Sequence, residues 1–167
     1  MRNDAVFTEL NEQQLDSVIK NLREHDAVEL SIFGVNADNA WRHMQNMDEN
    51  ICVEIDGVPI CVFGYVLTAL TIRFNFFGTK SVDKNWKQIT RSADSYIQYY
   101  MRKFPLRRGI IEVWEGHKNS RRWLKLLNFK ETSAYRSSKY GRTIFVEYNK
   151  YNKIGGTTEC AYLQPLH

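Results

Sequence analysis

The sequence predicts an α+β fold, an α/β/α sandwich around a mixed sheet of six to seven strands. Two observations support this prediction. Short segments rich in β-branched and aromatic residues alternate with segments in which apolar residues recur every three or four positions. In residues 109–129, a β segment, a polar loop and an amphipathic helix lead to another β segment. Strands joined through a helix in this way are usually parallel, so we expect part of the sheet to be parallel.

The chain begins with one predicted strand and two or three predicted helices. Residues 5–10 alternate apolar and polar side chains, as a strand does. Asn11 is placed to cap a helix whose apolar face comprises Leu15, Val18, Ile19 and Leu22. A second helical segment ends at Gly34, and Asn36 or Asp38 is placed to cap a third.

Three antiparallel strands are predicted next. Residues 51–55 and 58–66 flank the dipeptide Asp56-Gly57, which suits the positive φ values of a tight hairpin turn. Residues 71–77 are rich in aromatic and β-branched side chains and form the third strand of this group.

The longest helix is predicted at residues 82–104, where Ser81 or Asp83 begins it and Pro105 ends it. A strand at residues 110–114 follows, and we expect it to run parallel to the strand at residues 71–77 and next to it. The core-facing stripe of the long helix comprises Trp86, Ile89, Ala93, Tyr96, Ile97, Tyr100, Met101 and Phe104.

The last predicted helix is capped by Asn119 or Ser120 and precedes two strands, residues 130–135 and 143–148. Its apolar side chains share one face, which we expect to be buried: Trp123, Leu124 and Leu127.

Length and composition indicate one soluble globular domain, residues 1–149, followed by a flexible C-terminal tail, residues 150–167. No apolar run approaches the roughly 18 residues of a membrane span, and the N-terminus lacks the apolar core of a signal peptide. The three cysteines, Cys52, Cys61 and Cys160, do not have a metal-binding spacing, so we expect no metal site. The first two lie in apolar segments, which favours buried free thiols in a reducing compartment.

The net charge of +4 conceals a strong asymmetry. Residues 1–79 contain 5 Lys or Arg against 12 Asp or Glu, whereas residues 80–167 contain 18 against 7. This division predicts an acidic face and a basic face, or attraction between the two halves. It is compatible with an anionic cofactor or with nucleic acid on the C-terminal half.

The predicted element order resembles that of the GNAT (Gcn5-related N-acetyltransferase) fold, which implies helices on both faces of the sheet. Residues 117–129 resemble its fourth-helix motif, N-x-x-A-x-x-L-Y-x-x-x-G-F. In that comparison His117 stands at the Asn position, Ser120 at the small-residue position, Leu124 at the Tyr position and Asn128 at the Gly position.

Several segments resemble one branch more closely, the GNAT-like internal virion protein A family of T-seven-like short-tailed phages. They are the IDGVPICVFGY hairpin, the FFGT strand end, the MRKFP helix end and EVWEGHKNSRRWLKLLNF. The resemblance covers roughly residues 5–148. It implies a role in virion assembly or in ejection of internal proteins and DNA, and a location in the host cytoplasm during infection or in the virion.

The resemblance also implies acetyl-CoA as the cofactor to consider. GNAT enzymes hold its pyrophosphate with a loop of the form R/Q-x-x-G-x-G/A that opens the long helix, where backbone N–H groups and the helix dipole face the phosphates. The corresponding segment here has one glycine, so the candidate phosphate site is Gly78, Thr79, Lys80 and Ser81, without the usual glycine-rich cradle.

Two further catalytic requirements are a proton donor for the departing thiolate and a general base for the amine. Leu124 stands where the motif has its Tyr, and a leucine cannot donate a proton. Glu54, Glu112 and Glu115 are available as bases, although each also fits a strand glutamate on a solvated face. His117 is the best-placed titratable residue, and an exposed loop histidine is the alternative interpretation. Glu54 and His117 are therefore the catalytic candidates.

Three functions remain open. The first is a phage GNAT-fold protein without acetyl transfer, which contacts other virion proteins or a host protein, or forms oligomers, through a basic surface of Arg107, Arg108, Arg121, Arg122 and Lys125. The second is an active N-acetyltransferase that modifies a small amine or a protein lysine. The third is a nucleic-acid-binding module, suggested by a wider basic set: Arg102, Lys103, Arg107, Arg108, Lys118, Arg121, Arg122, Lys125 and Lys130.

Overall fold

The computed structural model describes residues 4–137, 139–141 and 143–152, and its strands form one seven-stranded sheet. The strands are β1 (Val6–Glu9), β2 (Glu49–Ile55), β3 (Val58–Leu67), β4 (Thr71–Gly78), β5 (Arg108–Trp114), β6 (Lys130–Ser137) and β7 (Thr143–Lys150). The helices are α1 (Glu12–Lys20), α2 (Glu24–Ile32), α3 (Ala40–Gln45), α4 (Ser81–Lys84), α5 (Trp86–Lys103) and α6 (Lys118–Leu126). The predicted α+β class and mixed sheet are confirmed.

The sheet has the order β1-β2-β3-β4-β5-β7-β6, and every neighbouring pair is antiparallel except β4 and β5. The predicted parallel pairing of β4 with β5 is confirmed, but it extends only from Thr71↔Arg108 to Arg73↔Ile110. Both strands continue beyond these pairs without facing each other, so a gap opens between their carboxyl ends. Crevices at the carboxyl ends of parallel strands are common ligand sites in α/β proteins.

Buried side chains form a hydrophobic core on each face of the sheet, which confirms helices on both faces. The larger core packs α5 and α6 against the sheet, through residues that include Ile89, Ile97 and Leu124. The smaller core packs α1 and α3 against the opposite face, through residues that include Val18 and Met44.

Local signals fix several turns and helix ends. The Asn11 side chain accepts the backbone N–H of Gln14, and the Gln14 side chain accepts that of Asn11, so the predicted cap is a complete capping box. Asp56 and Gly57 have φ values of 56° and 72°, as the β2–β3 turn requires. Asn128 ends α6 with a φ of 60°, the left-handed conformation for which Gly is the usual residue.

The predicted long helix is wrong in one respect, because it is broken into α4 and α5 at Asn85. The Asn85 side chain donates to the Ser81 carbonyl at 2.9 Å, and its backbone N–H donates to the same carbonyl at 3.2 Å. An asparagine that binds nearby backbone in this way competes with helix continuation. The break places Trp86 at the start of α5 with 49% of its surface exposed, so its predicted core position is also wrong.

The predicted apolar face of α6 is largely confirmed. Leu124 and Leu127 are buried, whereas Trp123 is partly exposed. The Trp123 indole N–H donates to the Thr90 hydroxyl of α5 at 2.8 Å, which ties the two helices together. The cap is His117, whose side chain accepts the Ser120 N–H, and not Asn119 or Ser120 as predicted.

Strand β7 ends at Lys150, two residues after the predicted strand end at residue 148. The Asn152 side chain donates to the carbonyls of Met101 and Pro105, both at 2.8 Å. From residue 153 onward the predicted tail lies outside the described residues. Among the helices of the described residues, none has the length and apolar character needed to cross a membrane.

Candidate functional site

A cavity of about 360 Å³ occupies the gap between β4 and β5. Helices α2 and α3 cover it on one face of the sheet, and α6 lies on the other. Most of its lining is apolar, but two carboxylates of α2, Asp26 and Glu29, also line it. The site is therefore an apolar cleft with an acidic wall.

Asp26 is the most completely bonded carboxylate of the cleft, and it is only 2% exposed. It accepts the Gly78 backbone N–H at 2.7 Å. The Arg23 guanidinium donates to it twice, from Nε at 3.0 Å and from Nη2 at 3.1 Å, in a bidentate pair. His117 Nε2 lies 2.6 Å from its other oxygen. Asp26 thus joins α2 to the end of β4 and to the loop after β5.

Gly78 both accepts a hydrogen bond from the beginning of α2 and donates one to it. The Arg23 backbone N–H donates to the Gly78 carbonyl at 3.0 Å, while the Gly78 N–H donates to Asp26. A Cβ at Gly78 would lie 2.5 Å from Val82 Cγ2 and 2.9 Å from Cys61 Cβ. The close packing at this position is the reason that glycine is required there.

His117, a catalytic candidate, is not an exposed loop residue but is only 1% exposed. Its Nδ1 accepts the Ser120 N–H at 3.3 Å, so Nε2 is the nitrogen that carries hydrogen and donates to Asp26. The Ser120 hydroxyl lies 3.1 Å from the same Nε2. A catalytic triad needs the acid on one ring nitrogen and the nucleophile on the other, and this arrangement does not provide it.

Glu29 differs from Asp26 because, within the part of the chain that the structure describes, no cationic side chain bonds to it. Its Oε1 accepts the Trp114 backbone N–H at 2.6 Å, which ties α2 to the end of β5. Burial raises the pKa of Glu29 from its ordinary value to about 7, although the Trp114 N–H and the nearby His117 oppose the change. A carboxyl group that titrates near neutral pH beside an apolar cleft has the protonation behaviour of a general base.

The predicted phosphate segment has its backbone N–H groups already engaged within the chain. Gly78 donates to Asp26 and Thr79 donates to the Ile60 carbonyl at 2.8 Å. Lys80 donates to the Asn21 carbonyl at 3.1 Å. The Ser81 N–H lies 3.3 Å from the Thr79 hydroxyl. These four amides do not fit a pyrophosphate, because a phosphate would have to displace a protein acceptor at each of them.

A second cavity, of about 290 Å³, lies between the α4–α5 junction and α6. The exposed indole of Trp86 and the side chains of Arg23 and Arg122 line it. Phe76 and Trp123 line both cavities, and their ring centroids are 4.7 Å apart. These two rings therefore separate the second cavity from the cleft.

Glu54, the other catalytic candidate, is not part of the cleft, whereas Glu112 and Leu124 line it. Glu54 is on β2 and accepts a hydrogen bond from the Gln14 side chain at 2.7 Å, away from both cavities. Glu112 lines the cleft, but it is ion-paired to Arg73 and accepts the Tyr135 hydroxyl at 2.7 Å. Leu124, at the motif's Tyr position, is buried in the core and lines the cleft.

The five residues of the predicted basic surface differ in their contacts. Arg107 and Arg108 lie at the start of β5, where Arg107 stacks on Phe104 at 5.0 Å. Arg121 bonds the Tyr148 hydroxyl at 3.2 Å and lies 3.4 Å from Glu131. Arg122 and Lys125 are exposed on α6. Within the described residues, no group of three His, Cys, Asp or Glu is placed to hold a metal ion.

Sequence reasoning missed Arg23, Asp26 and Glu29. Charged residues in the first turns of a short helix normally face solvent, so the sequence carries no signal that these side chains point inward. The two cysteines in apolar strands, Cys52 and Cys61, are buried free thiols as predicted.

Similarity of shape identifies the fold where similarity of sequence does not. No protein-family model matches the sequence, and no curated protein matches it. A GNAT-family acetyltransferase from Bacillus anthracis superposes with a TM-score of 0.68 at 14% identity, covering 89% of this chain and 94% of that one. The fold is that of the GNAT acetyltransferases.

Two further GNAT structures agree. The ribosomal-protein-S18-alanine N-acetyltransferase from Escherichia coli has a TM-score of 0.66 at 9% identity, covering 93% of this chain and 99% of that one. RimL, a ribosomal L7/L12 alpha-N-protein acetyltransferase solved with coenzyme A, has a TM-score of 0.67 at 10% identity, covering 89% and 94%. At these identities the likeness concerns the GNAT fold and not the substrate.

Proposed function

We propose that this protein uses the GNAT fold as a binding scaffold and does not transfer acetyl groups from acetyl-CoA. The observation that supports the proposal is the engagement of the Gly78, Thr79 and Lys80 amides by Asp26, Ile60 and Asn21. In addition, the buried Leu124 cannot donate a proton to a departing thiolate. The loss of a positioned general acid typically costs about 10²–10⁴-fold in rate.

The partner that we propose is another virion protein or a host protein. This part of the proposal is supported by the resemblance of the β2–β3 hairpin and of residues 112–129 to the phage internal virion protein family. It is also supported by the uneven charge, since an acidic N-terminal half and a basic C-terminal half suit head-to-tail association. The exposed cations Arg122 and Lys125 are the contacts that we assign to the basic side.

Calorimetric titration with acetyl-CoA and with CoA tests the scaffold proposal. We expect no saturable heat up to about 1 mM ligand, which corresponds to a binding free energy weaker than about −4 kcal/mol. We also expect no acetyl transfer to a panel of primary amines and lysine peptides. Micromolar binding together with turnover would overturn the proposal.

Sedimentation velocity at low and high salt tests the association. Salt-sensitive self-association that is lost in the Arg122→Glu, Lys125→Glu double variant supports the charged contact. A monomer at all salt concentrations, with no complex formed by added virion proteins, rejects it.

A second candidate function is acetyl transfer with Glu29 as the general base. It is favoured by the position of Glu29 on the wall of the cleft, where burial raises the pKa of its carboxyl group to about 7. It predicts turnover that falls at least about 100-fold in Glu29→Gln, because removal of a positioned base costs that much. Equal activity in the two proteins would exclude this role.

A further inference from the structure

The surroundings of Asp26 form a complete anion-binding site. The Gly78 N–H, the Arg23 guanidinium and the His117 Nε2–H converge on one carboxylate at 2.6–3.1 Å. Asp26 and His117 are 2% and 1% exposed, so water contributes little to these contacts. We propose that this site is a built-in receptor for a carboxylate, which the chain fills with its own Asp26 side chain and thereby holds α2 over the cleft.

Charge balance explains why the site must be filled. The Arg23 side chain is 14% exposed and makes its bidentate pair with Asp26, while its other close acid, Asp83, is 3.6 Å away and mostly exposed. Without the Asp26 carboxylate, the mostly buried Arg23 guanidinium and the buried Gly78 N–H would lose this acceptor, and His117 Nε2–H would keep only the Ser120 hydroxyl at 3.1 Å. Unpaired buried donors and charges are costly, so the emptied site should bind a small anion from solution.

The position of the site gives this anion a structural effect. Gly78 ends β4, His117 follows β5, and Arg23 precedes α2. An anion bound to all three therefore connects the two strands that flank the gap with the helix that covers it. Filling the emptied site should restore the stability of the whole domain and not only of α2.

Chemical rescue of Asp26→Ala by formate tests this inference. Formate has the size of the deleted carboxylate group. Thermal unfolding is measured for wild type and variant with increasing sodium formate, against sodium chloride at equal ionic strength. We expect the variant to melt lower than wild type and to recover in a saturable way with formate, by about 3–6 °C when formate reaches ten times its dissociation constant. Wild type should not respond.

Three controls complete the experiment. Glu24→Ala removes an exposed carboxylate from the same helix, so it should show no formate effect. Asp26→Asn keeps the site filled with a neutral group and should be less stable than wild type but insensitive to formate. Arg23→Gln combined with Asp26→Ala removes the cation and should abolish the rescue.

A formate response confined to Asp26→Ala and lost with Arg23→Gln supports the receptor. An equal response in chloride, or in Glu24→Ala, overturns it. If Asp26→Ala stays unfolded with and without formate while Asp26→Asn is folded, the site is not a preformed receptor and the inference is rejected. The formate experiment does not involve acetyl-CoA. If this inference fails, the scaffold proposal is therefore unaffected, because it is tested separately by the titration with acetyl-CoA and CoA.

Discussion

Replacement of Glu29 by glutamine should change how stability depends on pH. Burial raises the folded-state pKa of Glu29 from 4.5 to about 7. A group whose pKa is raised by folding stabilises the protein when it is protonated, and this contribution is complete below pH 4.5 and lost as the pH rises through 7. The glutamine side chain of the Glu29→Gln variant keeps an oxygen that can accept the Trp114 N–H but does not titrate, so its contribution should be independent of pH.

The expected size follows from the same pKa change. The rise in the pKa of Glu29 from 4.5 to about 7 corresponds to a free energy of about 3 kcal/mol. Because Glu29 is only partly buried, solvent screening lowers this free energy to about 1–3 kcal/mol. Relative to wild type, Glu29→Gln should therefore gain about 1–3 kcal/mol between pH 4.5 and pH 8. Each kcal/mol corresponds to about 2–4 °C in Tm for a domain of this size.

Urea unfolding of both proteins at half-unit steps from pH 4.5 to 8.5 measures this difference. Glu24→Gln, in the exposed first turn of the same helix, is the matched control and should track wild type at every pH. A stability difference between wild type and Glu29→Gln that stays constant with pH would refute the reasoning, since the pKa of Glu29 would then be the same in the folded and the unfolded protein.

Three further substitutions, with one control, probe the packing and an ion pair. Trp123→Ala should lower the free energy of unfolding in urea by about 2–4 kcal/mol. This includes the lost hydrogen bond to α5, and it is less than for a fully buried tryptophan because the ring is partly exposed. A loss under about 1 kcal/mol would show that the ring does not stabilise the domain. Gly64→Ala should cost at least about 2 kcal/mol, because its Cβ would lie 2.6 Å and 2.7 Å from two asparagine oxygens and 2.9 Å from a backbone carbonyl; an unchanged Tm would contradict this. Arg121→Glu should lower the Tm, since it places two acids together at Glu131, whereas the exposed Arg122→Glu should change it by little.

Local signals in the sequence predicted the elements and the sheet well. The turn at Asp56-Gly57 and the cap at Asn11 depend on neighbouring residues alone, and both have the expected geometry. The sheet contains the predicted parallel pair, β4 with β5. The two strands of the unit at residues 109–129, β5 and β6, do not pair with each other, because β7 lies between them in the sheet.

The site could not be predicted because it is assembled from distant segments. Asp26 meets Gly78 across 52 positions of sequence and His117 across 91. Its burial depends on those long-range donors, and no pattern within α2 records them. The position of Trp86 was mispredicted because of a contact between residues close in sequence. Apolar periodicity placed Trp86 in the core, but the Asn85 side chain bonds the Ser81 carbonyl and ends α4 just before it.

The shortness of the β4–β5 ladder affects how the domain unfolds locally. Only three residue pairs join the strands β1–β4 to the strands β5–β7, whereas within each group the neighbouring strands pair antiparallel in longer ladders. Local unfolding follows boundaries where few interactions cross. Amide hydrogen exchange should therefore resolve two cooperative lobes with separate opening free energies, and the lobe made of β5, β6, β7 and α6 should detach and rejoin while the other remains folded.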